Sequence, residues 1–125
     1  MLDRLDYECL VTAGRAYYEV TTAPQAGNTA KAKKALKALG IADVLQCSFQ
    51  KMHSPLANYI ALAQFALRIV FIHERGNNQR EVLRQSTLLA TGIVCLVLRI
   101  TGLSQVATLV NNIVGTMDLV DRATS

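Results

Sequence analysis

The side chains best suited to chemistry are two histidines and a few carboxylates, and they are scattered along the chain. His53 precedes the Ser54-Pro55 pair, and His73 stands at a predicted turn. The carboxylates lie mainly near the chain ends, at Asp3, Asp6, Glu8, Asp118 and Asp121. Catalysis needs a nucleophile beside a base, or paired acids near one bond, and no GxGxxG, P-loop, HExxH or GxSxG pattern occurs. We therefore expect no enzyme active site, solvated or capping histidines, and carboxylates on solvated helix faces.

A short basic segment offers a second kind of chemistry, the binding of anions. Lys33, Lys34 and Lys37 share one face of a predicted helix and could contact phosphates. No aromatic residue stands beside them to stack on bases. Residues 28–80 carry a net charge of +6, whereas the whole chain carries +4. Three interpretations are open: a solvated face, a contact with anionic lipid headgroups, and a contact with nucleic acid.

Two arginines interrupt apolar runs. Arg68 and Arg99 each lie late in such a run, where a buried guanidinium must find a partner. At a bilayer centre an arginine costs roughly 2.5–3.5 kcal/mol on insertion scales, and less near a helix end. We expect both to pair with carboxylates or lipid phosphates. A helix in a protein core, with its arginine reaching an acidic partner, is an equally open interpretation.

The cysteines predict neither a disulfide nor a metal site. Cys9, Cys47 and Cys95 are odd in number, far apart and flanked by apolar residues, without CxxC or CxxH spacing. They are expected to be small buried hydrophobic residues in a reducing compartment. The N-terminal segment MLDRLDYECLV is mixed in charge and is not predicted to be a secretory signal.

Composition favours one folded domain with an excess of apolar residues. The chain has 125 residues, of which 51% are hydrophobic and 18% charged, so disorder is excluded. Either the core is unusually large, or some apolar surface faces lipid or a neighbouring subunit.

Apolar residues recur with a period near 3.6, which predicts an all-α fold of about five helices. Residues 1–54 are expected to form amphipathic and basic helices, 55–103 an apolar helical hairpin, and 104–125 a C-terminal amphipathic helix, all in one domain. The first helix should end before Pro24. Thr29 should cap a short basic helix, Lys31–Leu39, and Gly40 should end it before a further helix begins at Ile41.

The hairpin is the most apolar part. Its helices, Pro55–Ile72 and Glu81–Ile100, are joined by a turn at 73–80, and the first is expected to be buried on most of its circumference. Small residues at helical spacing, which allow close helix contacts, are Ala57 and Ala61 in one helix and Thr87, Thr91 and Cys95 in the other.

Residues 55–112 resemble the small two-helix pilins of conjugative type IV secretion systems. Pro55–Ile72 and Leu83–Ile100 would correspond to the two apolar helices of that family, and Arg75, Arg80 and Arg84 to its basic loop. The resemblance implies helices that stack into a tube with the loop toward the lumen.

These features lead to two hypotheses. The first is a non-enzymatic, self-assembling helical subunit, associated with a membrane or forming a filament, with no cofactor unless a phospholipid is bound. Its partners would be further copies of itself and anionic lipid. The alternative is a soluble helical bundle from a mobile element, which binds nucleic acid or inhibits a partner protein through its basic middle.

Overall fold

The computed structural model describes residues 4–24, 29–74 and 79–124, with side chains from Tyr7 onward, and these residues form five α-helices. They are α1 (Arg4–Thr22), α2 (Ala30–Lys51), α3 (Leu56–His73), α4 (Gln79–Ile100) and α5 (Ser104–Thr124). Those three ranges contain no strand. The predicted all-α fold, with its apolar hairpin in α3 and α4, is confirmed.

The helices form a closed ring. Each packs against the next in sequence, and α5 packs against α1. Because the connections are short, consecutive helices run antiparallel, and α1 and α5 run parallel. The ring therefore has two distinct ends. At one end, α2 and α4 finish while α1, α3 and α5 begin; at the other, α2 and α4 begin while α1, α3 and α5 finish.

The predicted helix boundaries are mostly confirmed. The Thr29 hydroxyl oxygen accepts a hydrogen bond from the Ala32 N–H at 3.1 Å, which caps α2. The Ser54 hydroxyl oxygen accepts one from the Leu56 N–H at 3.2 Å, where α3 begins. Gly102 has a φ of +89°, a left-handed conformation that suits glycine, and it follows the end of α4.

The prediction that Gly40 ends a helix was wrong, because α2 continues through it to Lys51. A Cβ at residue 40 would lie 2.8 Å from Val20 Cγ2 and 3.3 Å from the Ala16 carbonyl oxygen. The glycine therefore allows α1 and α2 to approach closely. A glycine at a helix terminus and a glycine at a helix contact look alike in one sequence.

The prediction of unpaired cysteines was wrong for two of the three. Cys9, near the beginning of α1, and Cys47, near the end of α2, form a disulfide with their Cα atoms 5.6 Å apart. The antiparallel packing of α1 and α2 brings together residues that are 38 positions apart. Cys95 is a buried free thiol, as predicted. We call the end of the ring that carries this bond the disulfide end.

The largest correction concerns which faces are buried. The buried positions of α3 are Ala57, Ala61, Gln64, Arg68 and Phe71, while most of its other apolar side chains are half-buried or exposed. The small and polar line thus faces inward, and the prediction of a mostly buried circumference was wrong. The main apolar cluster is small and centres on Leu36, Leu39 and Phe71 of α2 and α3.

Candidate functional site

The interior of the ring is polar. Every helix contributes fully or largely buried polar or charged side chains to it. These side chains are Glu8, Thr12, Arg15 and Glu19 of α1, Asp43 of α2, Gln64 and Arg68 of α3, Glu81 and Gln85 of α4, and Thr108 and Arg122 of α5. Buried charge is costly unless it is paired, so the pairing of these groups decides whether the ring is stable.

The terminal carboxylates are not all solvated, contrary to the sequence-based prediction. Glu8 is 2% exposed, and the side chain of Asp118 is 8% exposed because it pairs with Arg122. The side chain of Asp121 is 45% exposed, which agrees with the prediction. Asp3 and Asp6 lie outside the described side chains.

A chain of hydrogen bonds crosses the middle of the ring. Asp43 Oδ1 accepts hydrogen bonds from Gln64 Nε2 at 2.6 Å and from Arg68 Nη2 at 3.4 Å. Arg68 Nε donates to Gln85 Oε1 at 3.1 Å, and Gln85 Nε2 donates to Glu81 Oε1 at 3.3 Å. Arg68 therefore has the carboxylate partner expected from the sequence, and the chain connects α2, α3 and α4.

Arginine–carboxylate pairs continue this chain toward α5. Arg122 is 2.8 Å from Glu81 Oε1 and 2.8 Å from Asp118 Oδ2. Asp121, at the surface, forms ion pairs with Arg84 at 2.8 Å and with Arg80 at 2.9 Å. The pair of Arg122 with Glu81 lies in the interior where α4 begins and α5 ends, whereas the pair of Arg80 with Asp121 lies at the surface.

Arg99 also has an acidic partner. Its Nη2 lies 3.7 Å from Glu8 Oε1, in the half of the ring near the disulfide end. The prediction that Arg68 and Arg99 need carboxylates or phosphates is met by carboxylates of the same chain.

Two cavities share part of their lining. A central cavity of about 40 Å³ is lined by all five helices, including Arg15, Asp43, Gln64 and Arg68. A second cavity of about 300 Å³, which we call the vestibule, lies at the disulfide end beside His53, Ser54 and Asn58. Gln46 and Arg99 line both cavities, so they stand at the boundary between the two.

The exterior of the ring is apolar on all five helices. Large hydrophobic side chains that are more than 40% exposed include Leu10 and Tyr17 of α1, Ile41 and Leu45 of α2, Leu62 and Ile69 of α3, Val94 and Ile100 of α4, and Ile113 and Met117 of α5. The apolar stripes that the sequence predicted in α1 and α5 thus face outward. A patch of this kind that continues around a molecule indicates that something else covers it.

Two helices are long and apolar enough to cross a membrane by length and composition, Leu56–His73 and Gln79–Ile100. Core helices of soluble proteins pass the same test, but such helices are mostly buried. Here 28% of the first span and 22% of the second are buried within the bundle.

Four of the five lysines lie at one end, which we call the basic end, and Lys51 lies at the other. Lys34 and Lys37 are exposed and Lys33 is half-buried, all in the first turns of α2. Lys31 lies 3.6 Å from Glu74. Arg80 and Arg84 lie at the same end, where α4 begins. Arg75 lies outside the described residues.

The positions proposed for helix packing separate into two groups. Ala57 and Ala61 are buried in the ring interior, whereas Thr87 is exposed and Thr91 is half-buried. Thr87 lines an external groove of about 290 Å³ between α4 and α5. The role of these four residues in assembly stays a prediction.

The two histidines lie at the surface of the ring. Neither His53 nor His73 is buried.

Sequence reasoning missed most of the polar interior. Glu19, Asp43, Glu81 and Arg122 were each assigned no role, because a lone charge on a helix is usually solvated. A signal was present in α1, where Glu8, Thr12, Arg15 and Glu19 follow steps of four, three and four residues. That spacing places them on one face.

Neither a protein-family model, nor a curated protein, nor a solved structure matches this chain.

Proposed function

We propose that this protein is a non-enzymatic helical subunit embedded in a membrane, with lipid around its apolar exterior and a charged interior that carries its function. The observation behind the proposal is the inverted distribution of side chains. In membrane-spanning bundles ionisable residues face the interior and pair with one another, while apolar residues face lipid. The ring has buried ionisable residues inside and exposed apolar residues outside on all five helices, which supports the proposal.

Helix length is consistent with this proposal. The helices contain 18 to 22 residues, which corresponds to roughly 27–33 Å at about 1.5 Å per residue. The hydrocarbon core of a bilayer is about 30 Å thick. The exposed apolar residues of α4 extend from Leu83 to Ile100, or about 25 Å, and lysines that border the apolar surface can extend their side chains toward the headgroups.

The two ends of the ring favour one orientation. Lys31, Lys33, Lys34 and Lys37 lie at the basic end, and lysine and arginine are enriched on the cytoplasmic side of membrane proteins. The disulfide lies toward the opposite end, and disulfides persist in oxidising, extracytoplasmic compartments. Both features support an orientation with the basic end in the cytoplasm, where the lysines would meet anionic headgroups.

Self-association is the second part of the proposal. Thr87 leaves an opening in the groove that it shares with Leu83, Leu88 and Met117. A small residue at such a place lets a helix of a second copy approach. The resemblance to two-helix pilins stays a prediction, and a tube would require contacts of this kind.

Fractionation of cells that express the full chain tests the proposal. The protein should remain in the membrane pellet after washes with high salt and alkaline carbonate, and detergent should release it. Particle mass in the detergent extract then reports self-association. A monodisperse monomer in detergent-free buffer would overturn membrane embedding and assembly together, and would favour the soluble bundle with its basic end as the binding surface.

A further inference from the structure

Arg15 is a buried cation without a paired carboxylate in the described residues. It is 5% exposed, and its Nε has no hydrogen-bond acceptor in that part of the chain. The carboxylates within 4.0 Å of an interior arginine pair instead with Arg68, Arg84, Arg99 and Arg122. A guanidinium that is removed from water without a counter-ion is very unfavourable. Arg15 therefore needs an anion or water close to it.

The central cavity lies beside this cation. Arg15, Arg68 and Arg99, from three different helices, all line it. Asp43 is the one carboxylate among the described residues that line the cavity. The lining therefore carries three positive charges against one negative charge, which favours a negatively charged ligand.

Two of the three guanidinium groups keep donors that the described residues do not use. Arg68 Nη2 lies 3.4 Å from Asp43 Oδ1, so these two charges balance each other. Arg99 Nη2 lies 3.7 Å from Glu8 Oε1, which is too long for a hydrogen bond, and Arg99 Nε has no acceptor in the described structure. Arg15 and Arg99 are therefore the cations that can bind a further anion.

The volume of the cavity selects small anions. It is about 40 Å³, and one water requires roughly 10–15 Å³, so the cavity holds a few waters or one small inorganic anion. Thr12 and Asn111 add a hydroxyl and an amide to the lining, and both groups can donate hydrogen bonds to an anion. Phe65 and Leu88 also line the cavity, and such apolar neighbours strengthen the attraction between an anion and the arginines by lowering the local dielectric constant.

We propose that the central cavity binds a small inorganic anion, of which chloride is the representative, at Arg15 and Arg99. The proposal rests on the proposed function and deepens it, because it names the ligand of the charged interior. It depends on the lining of the cavity and not on what covers the exterior.

Calorimetric unfolding of the full chain tests the site. A ligand that binds only the folded state raises the unfolding midpoint in a saturable way. We expect a midpoint several degrees higher in sodium chloride than in sodium gluconate, whose anion is too large for the cavity, at equal ionic strength. Arg15→Gln should abolish this difference, whereas Arg80→Gln, which removes an exposed arginine, should retain it.

Two results of this experiment would overturn the proposal. Equal midpoints of the wild type in the two salts would show that water alone fills the cavity. A difference that persists undiminished in Arg15→Gln would show that chloride binds elsewhere.

The size of the cavity has a separate test. Ala61 is buried in the lining, so Ala61→Val narrows the cavity without changing its charge and should weaken the apparent affinity for chloride at least several-fold. Ala63→Val, on the exposed side of the same helix turn, is the matched control and should leave the affinity unchanged. Equal affinities in the two variants would place the anion outside the central cavity and contradict the proposal.

Chloride NMR of the wild type provides a readout that requires no variant. Exchange between bound and free chloride should broaden the chloride line, and bromide should reverse the broadening while gluconate should not. A line width that the protein leaves unchanged would exclude the site. Because these measurements can be made with or without detergent, failure of this proposal is distinct from failure of membrane embedding.

Discussion

Arg122 illustrates how single residues stabilise this interior. Its guanidinium contacts Glu81, Asp118 and, at longer range, Glu19, so three carboxylates of three helices meet at one cation. Arg80 makes a pair of similar length with Asp121 at 2.9 Å, but there both side chains are about half exposed. The same chemistry therefore occurs in two environments, and burial decides its importance.

We expect Arg122→Met to lower the free energy of unfolding by about 3–5 kcal/mol, because it leaves buried carboxylates without their cation. Arg80→Met should have little effect, since solvent screens the exposed pair. Denaturant titration of each variant in detergent, followed by circular dichroism, measures both. If both variants lost a similar free energy of unfolding, solvent would screen the Arg122–Glu81 pair as it screens the Arg80–Asp121 pair. Glu81 would then be hydrated rather than buried.

At the residue scale the sequence predicted that Arg68 and Arg99 need partners, and it could not predict which. The partner of Arg68 is Asp43, 25 positions away, and that of Arg99 is Glu8 in a different helix. A single sequence reveals a charge in an apolar run, whereas pairing depends on the helix arrangement. The Cys9–Cys47 bond was missed for the same reason.

At the scale of elements the periodic pattern predicted the helices well and their orientation poorly. A period of 3.6 residues separates an apolar face from a polar face, and it does not tell which face is buried. Leu10 of α1 and Ile113 of α5 lie on such apolar faces, and the structure has both exposed. In α3 the small and polar line was recognised, but its inward direction was not.

The contact between α1 and α2 depends on Gly40. Gly40→Val should destabilise the protein by about 1–3 kcal/mol, because overpacking forces the backbones apart and the Ala16 carbonyl oxygen cannot move aside as a side chain can. Ser48→Val introduces the same side chain at an exposed position of α2 and should be tolerated. Unfolding of both variants with the disulfide intact makes the comparison. Equal stability would mean that α1 and α2 pack more loosely than the structure indicates.

The groove between α4 and α5 leads to a prediction about assembly. Thr87→Leu fills the groove with a larger side chain, so the particle mass in detergent should fall toward that of a monomer while helix content stays constant. Thr101→Leu changes the same residue type after the end of α4, away from the groove, and should leave the mass unchanged. An oligomer that persists in Thr87→Leu would place the interface elsewhere on the apolar exterior.

At the scale of the whole molecule, composition indicated an excess of apolar residues without showing its location. The hydrophobic fraction of 51% is compatible with a large core, yet the closed ring has a small apolar core and a charged interior. Ring closure between α1 and α5 joins residues at opposite ends of the chain, so periodicity within one helix cannot predict it.

Orientation in the membrane provides the last prediction, and two histidines provide a matched pair for it. His53 lies at the disulfide end and His73 at the basic end, and neither is buried. With the basic end in the cytoplasm, His53→Cys should react with a membrane-impermeant thiol reagent in intact cells. His73→Cys should react only after the membrane is permeabilised. Cys95 is buried and Cys9 is bonded to Cys47, so background labelling should be low.

The lysines of the basic end should contribute to this orientation. Replacing Lys33, Lys34 and Lys37 together with Gln should raise the labelled fraction of His73→Cys in intact cells, because fewer positive charges then favour the cytoplasmic side for that end. Labelling of His73→Cys alone in intact cells would reverse the orientation, and it would place the disulfide in the reducing cytoplasm.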